Sequence, residues 1–432
     1  ANKVTQTWNA GDNTPFNSAA PRIFSAEIYP NIFFTDGGIS SVAAGSYYYD
    51  SATNTLSSWV ASPGTFPVDS NSFRPSLICA WQARIVLSGV QGDPHNWFMS
   101  AINDPFDFDY APASVCETMA VAGSSSNAGK TQDIINALAP WSNDVLLFGM
   151  GHSLAQMSGN PAAGGRFDTL TDITGMAYGR PFSMHPDRSM WFIGSRGGLY
   201  RLTPGQRNPE RVSATTIDDR LSQIDFSKTI VRMQWDDRLQ GFLIVFTDAD
   251  GGESTHYFFD MRNLAWYPWK FAKDEFNPHS IHLFDGDKVD DRVILAGSRD
   301  GYLRFLDYES KHDDKTDAGS LAAAKAINSH VLIGPIQGPG QIPLVLTGLS
   351  SVLGANSDSV TYSIHVGDSP EEALAASSIG GGTFRQGRNT WDRRRTSGTA
   401  LYIKLSNDTL GESWSLERLY GTIRGSGRTF EK

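Results

Sequence analysis

Hydrophobic and polar positions follow one pattern six times along the first three quarters of the chain. An apolar run leads into a short turn rich in Gly, Asp or Asn, and a second run that alternates apolar and polar positions follows it. This order is typical of a β-hairpin. The six turns are centred near residues 36, 89, 149, 194, 247 and 297. All-β repeats of roughly 40 to 50 residues are typical of a β-propeller, in which each repeat forms one four-stranded blade.

Two of these repeats share a nearly identical phrase. The segment 194–202 reads GSRGGLYRL, and 297–305 reads GSRDGYLRF. An apolar run precedes each copy, Met190 to Ile193 in the first and Val293 to Ala296 in the second. Midway between them, 241–247 reads GFLIVFT and precedes an Asp/Gly-rich turn. We therefore predict a propeller of about six blades.

The pattern changes towards the C-terminus. Several segments after residue 328 alternate as half-buried strands do, such as Val360 to Val366 and Ala400 to Leu405. The predicted fold is all-β, a propeller followed by a β-sandwich-like domain. The predicted divisions are an N-terminal arm (1–26), the propeller (27–308), a linker with one helical turn (309–328) and the sandwich (329–432). A short helix is expected over 370–376.

The charge of the chain is unevenly distributed. The net charge of the 432 residues is −10, yet residues 383–432 contain ten Lys and Arg against five Asp and Glu. The acidic remainder should repel nucleic acid at long range. The basic end is expected either to meet an acidic partner or to be a solvated face of mixed charge. Arg393, Arg394 and Arg395 beside Trp391 are the candidate interface residues, and an exposed basic strand edge is the favoured interpretation.

Neither a membrane helix nor a secretion signal is expected. No stretch approaches the roughly 18 to 20 apolar residues of a membrane span. The segment Ala1 to Gln6 is polar, unlike a signal peptide. Cys79 and Cys116 are the two cysteines of the chain, too few for a disulfide framework, and we expect both to be buried free thiols.

Three acidic turns are candidates for calcium. They lie at Asp104/Asp107/Asp109, at Asp248 to Glu253, and at Asp285 to Asp287. Calcium favours such oxygen-rich loops, but tight turns also require Asp and Gly. Simple turns are the favoured interpretation.

Other motifs fit known chemistry poorly. Gly123 to Thr131 resembles a phosphate-binding loop, but five residues instead of four separate its glycines. His279 and His282 would point to opposite faces of a strand and would not converge on a metal. A nucleophile elbow and a zinc signature are both lacking. We therefore predict no enzyme, no catalytic residues, no metal and no cofactor.

The strand-and-turn stretches resemble a known family. The segments that carry the resemblance are 84–89 (RIVLSG), 96–100 (NWFMS), 104–109 (DPFDFD), 139–148 and 402–428. They are similar to tail nozzle or tail hub β-propeller proteins of short-tailed bacteriophages. The resemblance covers roughly 27–310 and, more loosely, 329–432.

The resemblance implies a structural protein of the virion that is assembled in the host cytoplasm. It implies a homo-oligomeric ring, commonly a hexamer, that lines the genome-exit channel. Tail adaptor and fibre or spike proteins would be its partners, and double-stranded DNA would pass without specific binding. An acidic body suits such a conduit, because a cationic lining would retain DNA.

Two other functions stay open. A propeller lectin or receptor-binding protein would use exposed aromatic residues, for which Trp59 and the segment Trp266-Tyr267-Pro268-Trp269 are candidates. A propeller glycoside hydrolase would use a pair of carboxylates, and the chain has too many to single out a pair.

Overall fold

The computed structural model describes residues 22–38, 46–288, 292–307, 311–313, 324–338 and 342–426. The chain divides into two compact units. The larger, here the propeller unit, comprises the described residues within 4–269 and 274–304. The smaller, here the C-terminal unit, comprises residues 270–273 and the described residues from Phe305 onwards. Both are built mainly from antiparallel strands, and the predicted all-β fold is confirmed.

The first three blades of the propeller are sheets of four consecutive antiparallel strands. Blade 1 contains β1 (Phe24–Ile28), β2 (Asn31–Thr35), β3 (Ser46–Asp50) and β4 (Thr55–Ser58). Blade 2 contains β5 (Leu77–Trp81), β6 (Arg84–Val90), β7 (Asp93–Met99) and β8 (Val121–Ala122). Blade 3 contains β9 (Ile135–Pro140), β10 (Val145–Met150), β11 (Leu154–Ser158) and β12 (Arg166–Thr171).

The next three blades follow after a two-residue strand, β13 (Gly179–Arg180). Blade 4 contains β14 (Phe182–Met184), β15 (Met190–Ile193), β16 (Leu199–Leu202) and β17 (Glu210–Arg211). Blade 5 contains β18 (Thr229–Asp236), β19 (Gly241–Asp248), β20 (Thr255–Asp260) and β21 (Ala265–Trp269). Blade 6 has three described strands, β22 (Pro278–Phe284), β23 (Val293–Ser298) and β24 (Leu303–Phe305). The described residues thus form six blades, in agreement with the prediction of about six.

The first strand of each blade lies on the inside of the propeller. β1 contacts β5, β5 contacts β9, and β18 contacts both β14 and β22. β13 is the separated start of the inner strand of blade 4, because Pro181 has no N–H to continue the ladder into β14. β13 pairs in parallel with both β9 and β18, so blades 3 and 5 join through it into one nine-stranded sheet.

Each of the six hairpins predicted from the sequence forms the second and third strands of a blade. The repeated phrase forms the turn between those strands in blades 4 and 6. Gly197 and Gly198 have φ values of 83° and 87°, and Gly301 has a φ of 81°. A side chain is strained in this left-handed region, so the turn requires glycine there.

Aromatic rings are prominent among the largest fully buried side chains of the propeller core. The Trp59 ring, fully buried, lies 4.7 Å from the ring of Phe33, 4.8 Å from that of Phe66 and 5.8 Å from that of Phe108. Its indole N–H donates to the carbonyl of Pro105 at 3.1 Å. Burying large rings supplies much of the hydrophobic stabilisation of a fold, and a buried indole N–H needs such a partner.

The C-terminal unit is a β-sandwich. One sheet has the order β27 (Ser329–Gln337), β33 (Ala400–Asn407), β29 (Val360–Gly367) and β30 (Gly380–Phe384). In the other, β28 (Leu344–Leu353) pairs on one side with β31 (Gly387–Arg388) and β32 (Asp392–Gly398), and on the other with β34 (Leu416–Gly425). Side chains from both sheets form one core that includes Leu346, Leu349, Tyr362, Ile403 and Leu405.

Short helices complete the fold. α1 (Asp218–Ser222) lies in the propeller unit and α2 (Pro370–Ala375) in the C-terminal unit. The helix expected over 370–376 is therefore confirmed, and the Ser369 hydroxyl caps it by accepting from the Glu372 N–H. Three 3-10 turns span Pro161–Ala163, Val212–Thr215 and Asp274–Phe276. Among the described residues, no helix has the length and apolar character needed to cross a membrane.

The structure describes parts of the predicted arm and of the predicted linker. β1 begins at Phe24, inside the segment predicted as an arm, and residues 1–21 lie outside the described residues. In the predicted linker, β25 (His312–Asp313) pairs with β26 (Lys325–Ala326). The end of the expected helical turn, Lys325–Ala326, is thus strand, and 321–323 lie outside the described residues.

Candidate functional site

The three candidate interface arginines lie on β32, and the strand separates them. Arg393 and Arg395 are exposed on one face, while Arg394 lies on the other, because successive side chains alternate. Arg394 Nε donates to the Tyr362 hydroxyl at 3.1 Å, and its Nη2 donates to Asp392 Oδ2 at 3.1 Å. The Tyr362 hydroxyl also donates to Asp392. Arg394 therefore ties the two sheets of the sandwich together, and Arg393 and Arg395 are the accessible cations.

The sheet that contains β32 has two free edges among the described residues. β32 and β34 both pair with β28, and neither pairs with another described strand on its outer side. β34 is ten residues long and largely exposed, with Arg418, Tyr420 and Arg424 on its surface. A long unpaired edge presents N–H and C=O groups that can pair with another chain.

The neighbouring edge of the other sheet is exposed as well. β27 is exposed along most of its length, and Val331 and Leu332 are 43% and 39% exposed. Trp414, just before β34, donates its indole N–H to the Ser329 hydroxyl of β27 at 2.8 Å, so the two edges lie side by side. Pro335 and a register shift between Ile333 and Ile336 interrupt β27, and such irregularities oppose strand addition. β34 is therefore the more open of these two edges.

The acidic turn of blade 2 uses its carboxylates within the turn. Asp104 Oδ1 accepts from the Phe106 N–H at 3.0 Å, Asp107 Oδ1 from the Asp109 N–H at 2.8 Å, and Asp109 Oδ1 from the Ala111 N–H at 3.0 Å. Each is a local Asx turn, in which the carboxylate serves its own backbone. These carboxylates form successive turns, as the favoured interpretation expects.

The acidic turn of blade 5 is built in the same way. Asp248 Oδ1 accepts from the N–H groups of Asp250 and Gly252 at 2.8 and 2.9 Å. The bond from Gly252 is the main cause that lowers the pKa of Asp248, with smaller contributions from further backbone bonds. This turn borders a polar cleft of about 160 Å³ that Asp274, His279 and Arg299 also line. No group of three or more His, Cys, Asp or Glu that could hold a metal occurs among the described residues.

The loop that resembles a phosphate-binding loop is fixed to blade 2. Lys130 Nζ lies 2.7 Å from Asp93 Oδ2, and the Gly129 carbonyl accepts from the Trp97 indole N–H at 3.1 Å. The Thr131 hydroxyl donates to the His95 carbonyl at 2.9 Å. The lysine that would bind a phosphate is thus paired with a carboxylate.

Three further sequence expectations concern single residues. Cys79 is buried, and burial raises the pKa of its thiol to about 12, but Cys116 is exposed, so the expectation that both are buried is wrong for Cys116. Trp59 fills the core, so it cannot be the exposed aromatic that a lectin would use. Tyr267 of β21 is 48% exposed. His279 and His282 lie on β22, three residues apart, and differ in exposure as expected of opposite faces.

Sequence reasoning missed a set of basic side chains inside the propeller. Arg22, Arg74, Arg180, Arg232 and His279 each lie just before or near the start of the inner strand of a blade, in five of the six blades. In the sequence, a basic residue recurs within about three positions of the start of each of these strands. This pattern is recognisable only once the inner strands have been located.

No protein-family model matches the chain, and no curated protein matches it either. Among solved structures, it is similar to the extracellular domain of a one component system of B. thetaiotaomicron, with 12% identity over 93% of this chain and a TM-score of 0.41. The chain spans about half the length of that domain, 50%. It is also similar to an exo-beta-1,3-galactanase of Phanerochaete chrysosporium, with 10% identity, 97% and 99% of the two chains covered and a TM-score of 0.36. A GH74 enzyme of Niastella koreensis has 11% identity over 67% of this chain and 45% of its own, with a TM-score of 0.36. At these TM-scores the likenesses carry no argument about function.

Proposed function

We propose that this chain is a structural subunit of a bacteriophage tail that assembles into a homo-oligomeric ring, with a hexamer as the favoured form. The ring would line the genome-exit channel, and tail adaptor and fibre or spike proteins would dock to it. The observation that carries the assembly is the pair of free strand edges on one sheet of the C-terminal unit, β32 and β34. The tail assignment comes from the sequence resemblance.

Two free edges on one sheet favour a heterologous contact, in which different surfaces of neighbouring copies meet. Such contacts close into rings when the rotation between copies allows it. Arg393, Arg395, Arg418 and Arg424 give these edges positive charge, while the chain outside residues 383–432 has a net charge of −15. Complementary charge guides docking and orientation, whereas Val331, Leu332 and Tyr420 supply apolar contact area.

The test is the oligomeric state of the purified chain, measured by light scattering after size exclusion and by negative-stain imaging. Arg393→Glu with Arg395→Glu should reduce the ring fraction at low salt. The matched control, Arg207→Glu with Arg220→Glu, reverses two exposed arginines of the propeller unit and should assemble as the wild type does. Arg394 stays unchanged, because its contacts hold the sandwich together.

Assembly at the wild-type level by the arginine double variant would overturn the role of β32. Two results together would overturn the ring. The wild-type chain would stay monomeric at every concentration, and tail particles produced with a tagged copy would not incorporate it. Incorporation of the tagged chain into tails would support the phage assignment separately from the choice of interface.

A second candidate function is glycan binding on the outer strand of blade 5. Tyr267 is exposed between the partly buried Trp266 and Trp269 on β21. Aromatic faces on a surface stack against sugar rings, which favours a lectin. A glycan array with the wild type and with Tyr267→Ala tests it, and equal binding by both would dismiss this site.

A further inference from the structure

Two arginines lie directly beside each other in the interior of the propeller. In the parallel ladder between β13 and β18, Arg180 is the register partner of Arg232. Like charges directly opposite each other on neighbouring strands destabilise a sheet. The repulsion between Arg180 and Arg232 must therefore be offset by a negative charge or by favourable packing.

A third guanidinium reaches the same place from blade 1. Arg22 Nη2 donates to the carbonyl of Thr229, at the start of β18, at 3.0 Å, and the Arg22 guanidinium lies 5.0 Å from the centre of the Tyr178 ring. The Arg232 guanidinium lies 5.0 Å from the centre of the Phe24 ring, and the Arg180 Nη2 donates to the Ser25 carbonyl. Segments from blades 1, 4 and 5 thus bring three cations together.

The partners of these three side chains are carbonyls and aromatic faces. Arg232 Nη1 donates to the Val231 carbonyl at 3.1 Å, and none of the three forms an ion pair with a described carboxylate. Arg22 Nε is buried and has no hydrogen-bond partner among the described residues. A buried polar atom without a partner requires an explanation, and a ligand that the site receives is one.

The surroundings of Arg232 disfavour its charged state. Burial, followed by the charges of Arg180 and Arg22, lowers the pKa of Arg232 to about 9. Burial also lowers the pKa of Arg180, although its side chain is exposed to solvent. Arg232 is buried and Arg22 is partly buried, so the cluster is reachable from solvent through Arg180.

The neighbouring groups do not neutralise this charge. Tyr178 and Cys79 are the titratable groups that interact favourably with the three arginines, and burial raises the pKa of each, so both are neutral near pH 7. Burial lowers the pKa of His279 of blade 6, and the charges of Arg299 and then Arg232 lower it as well, so His279 supplies no negative charge. Arg74 of blade 2 faces Asp36 and is compensated separately.

We propose that Arg22, Arg180 and Arg232 form a binding site for a tetrahedral oxyanion of the phosphate type in the interior of the propeller. Guanidinium groups are suited to phosphate oxygens through paired N–H donors. Three of them arriving from three blades can contact three oxygens of a tetrahedral anion, whereas a planar carboxylate offers two. The phosphate group comes either from free inorganic phosphate or from a nucleic-acid backbone. This site is independent of the proposed ring.

The test is calorimetric titration of the full chain with inorganic phosphate in a chloride buffer at constant ionic strength. The wild type should bind with a Kd roughly between micromolar and millimolar. It should also unfold at a temperature about 2 °C or more higher when phosphate is in excess, because the ligand binds only the folded state. Arg180→Gln, which changes the most accessible of the three, should weaken binding by about tenfold or more, a change of about 1.4 kcal/mol.

The matched control is Arg207→Gln, an exposed arginine of the same unit, which should bind phosphate as the wild type does. Without phosphate, Arg180→Gln should unfold at or above the wild-type temperature, because it relieves repulsion. If these arginines had a purely structural role, the variant would instead unfold earlier, with and without phosphate alike. This earlier unfolding of the variant would overturn the proposal. So would a wild type that does not bind phosphate, or one that binds acetate as tightly as phosphate.

A short single-stranded oligonucleotide distinguishes the two sources of the phosphate. If the oligonucleotide competes with inorganic phosphate for the wild type, and if this competition depends on Arg180, the site binds a nucleic-acid backbone. Binding of phosphate without such competition would assign it to a free anion.

Discussion

The propeller unit and the C-terminal unit place their arginines in opposite ways. In the propeller, Arg180 and Arg232 lie side by side in the interior, and no described carboxylate pairs with them. In the sandwich, Arg393 and Arg395 point outwards from an unpaired strand edge. Exposed charge costs little because water solvates it, whereas clustered interior charge costs much unless an anion compensates it. This difference is why we propose assembly through the arginines of the sandwich and ligand binding through those of the propeller.

The largest expected effect separates the packed interior of the propeller from the exposed edge of the sandwich. Trp59→Ala should lower the free energy of unfolding by about 3–5 kcal/mol, because it removes a fully buried ring from an aromatic cluster. Tyr420→Ala on β34, where the side chain is 48% exposed, should change it by no more than about 0.5 kcal/mol. Urea unfolding of the monomeric fraction measures both. Equal losses for the two variants would contradict the contrast.

A smaller effect distinguishes the structural arginine of the sandwich from the accessible ones. Tyr362→Phe should cost about 1 kcal/mol, because it removes the hydroxyl that links Asp392 to Arg394, and solvent reaches part of this network. Arg395→Gln, one residue beyond Arg394, should leave stability within about 0.5 kcal/mol of the wild type. If Arg395→Gln proves as costly as Tyr362→Phe, then Arg395 also supports the fold.

How far the sequence predicts these features depends on how local they are. The hairpins at Gly194 and Gly297 were predictable, because an apolar run, its turn and the returning strand lie within about a dozen residues. The strand β13 was not, because two residues give no period and its partners, Ala137 and Val231, lie far away in sequence.

The candidate sites show the same limit. Alternation along a strand already places Arg394 opposite Arg393 and Arg395, but its partner Tyr362 comes from the other sheet. Counting charges located the basic end of the chain. It missed the interior cluster, since Arg22, Arg180 and Arg232 lie within a region whose net charge is acidic. Only contacts between segments of blades 1, 4 and 5 bring these three together.

Acidification should lower the stability of the propeller unit more than that of the C-terminal unit. The comparison concerns one histidine in each unit, His256 and His330. In the propeller, His256 Nδ1 accepts from the Phe246 N–H, and its Nε2 contacts Asn277 Oδ1 at 2.9 Å. A proton added at Nδ1 would therefore face the Phe246 N–H, which is itself a donor. Burial lowers the pKa of His256 from 6.5. The unfolded chain therefore binds the proton first, and stability present above about pH 6.5 is lost as the pH falls below it.

Unfolding temperatures measured across this range check the expectation. His256→Gln should flatten the acid side of the profile. Burial also lowers the pKa of His330 in the C-terminal unit, but that side chain is exposed, so His330→Gln should change the profile less. A profile that responds to His330→Gln and not to His256→Gln would reverse the comparison.

The smallest expected effect concerns a feature that the two units share, their exposed ion pairs. Lys130 and Asp93 in the propeller lie 2.7 Å apart, and Lys311 and Asp358 in the C-terminal unit lie 3.8 Å apart, all with side chains about a third or more exposed. Solvent screens such pairs, so Lys130→Met and Lys311→Met should each change the free energy of unfolding by less than about 1 kcal/mol. Urea unfolding at low and high salt measures the difference. Because distance matters little when water surrounds both charges, the two losses should be similar despite the shorter contact of Lys130. A clearly larger loss for Lys130→Met would mean that this lysine orders the loop from Gly123 to Thr131, and that the loop contributes to the stability of blade 2.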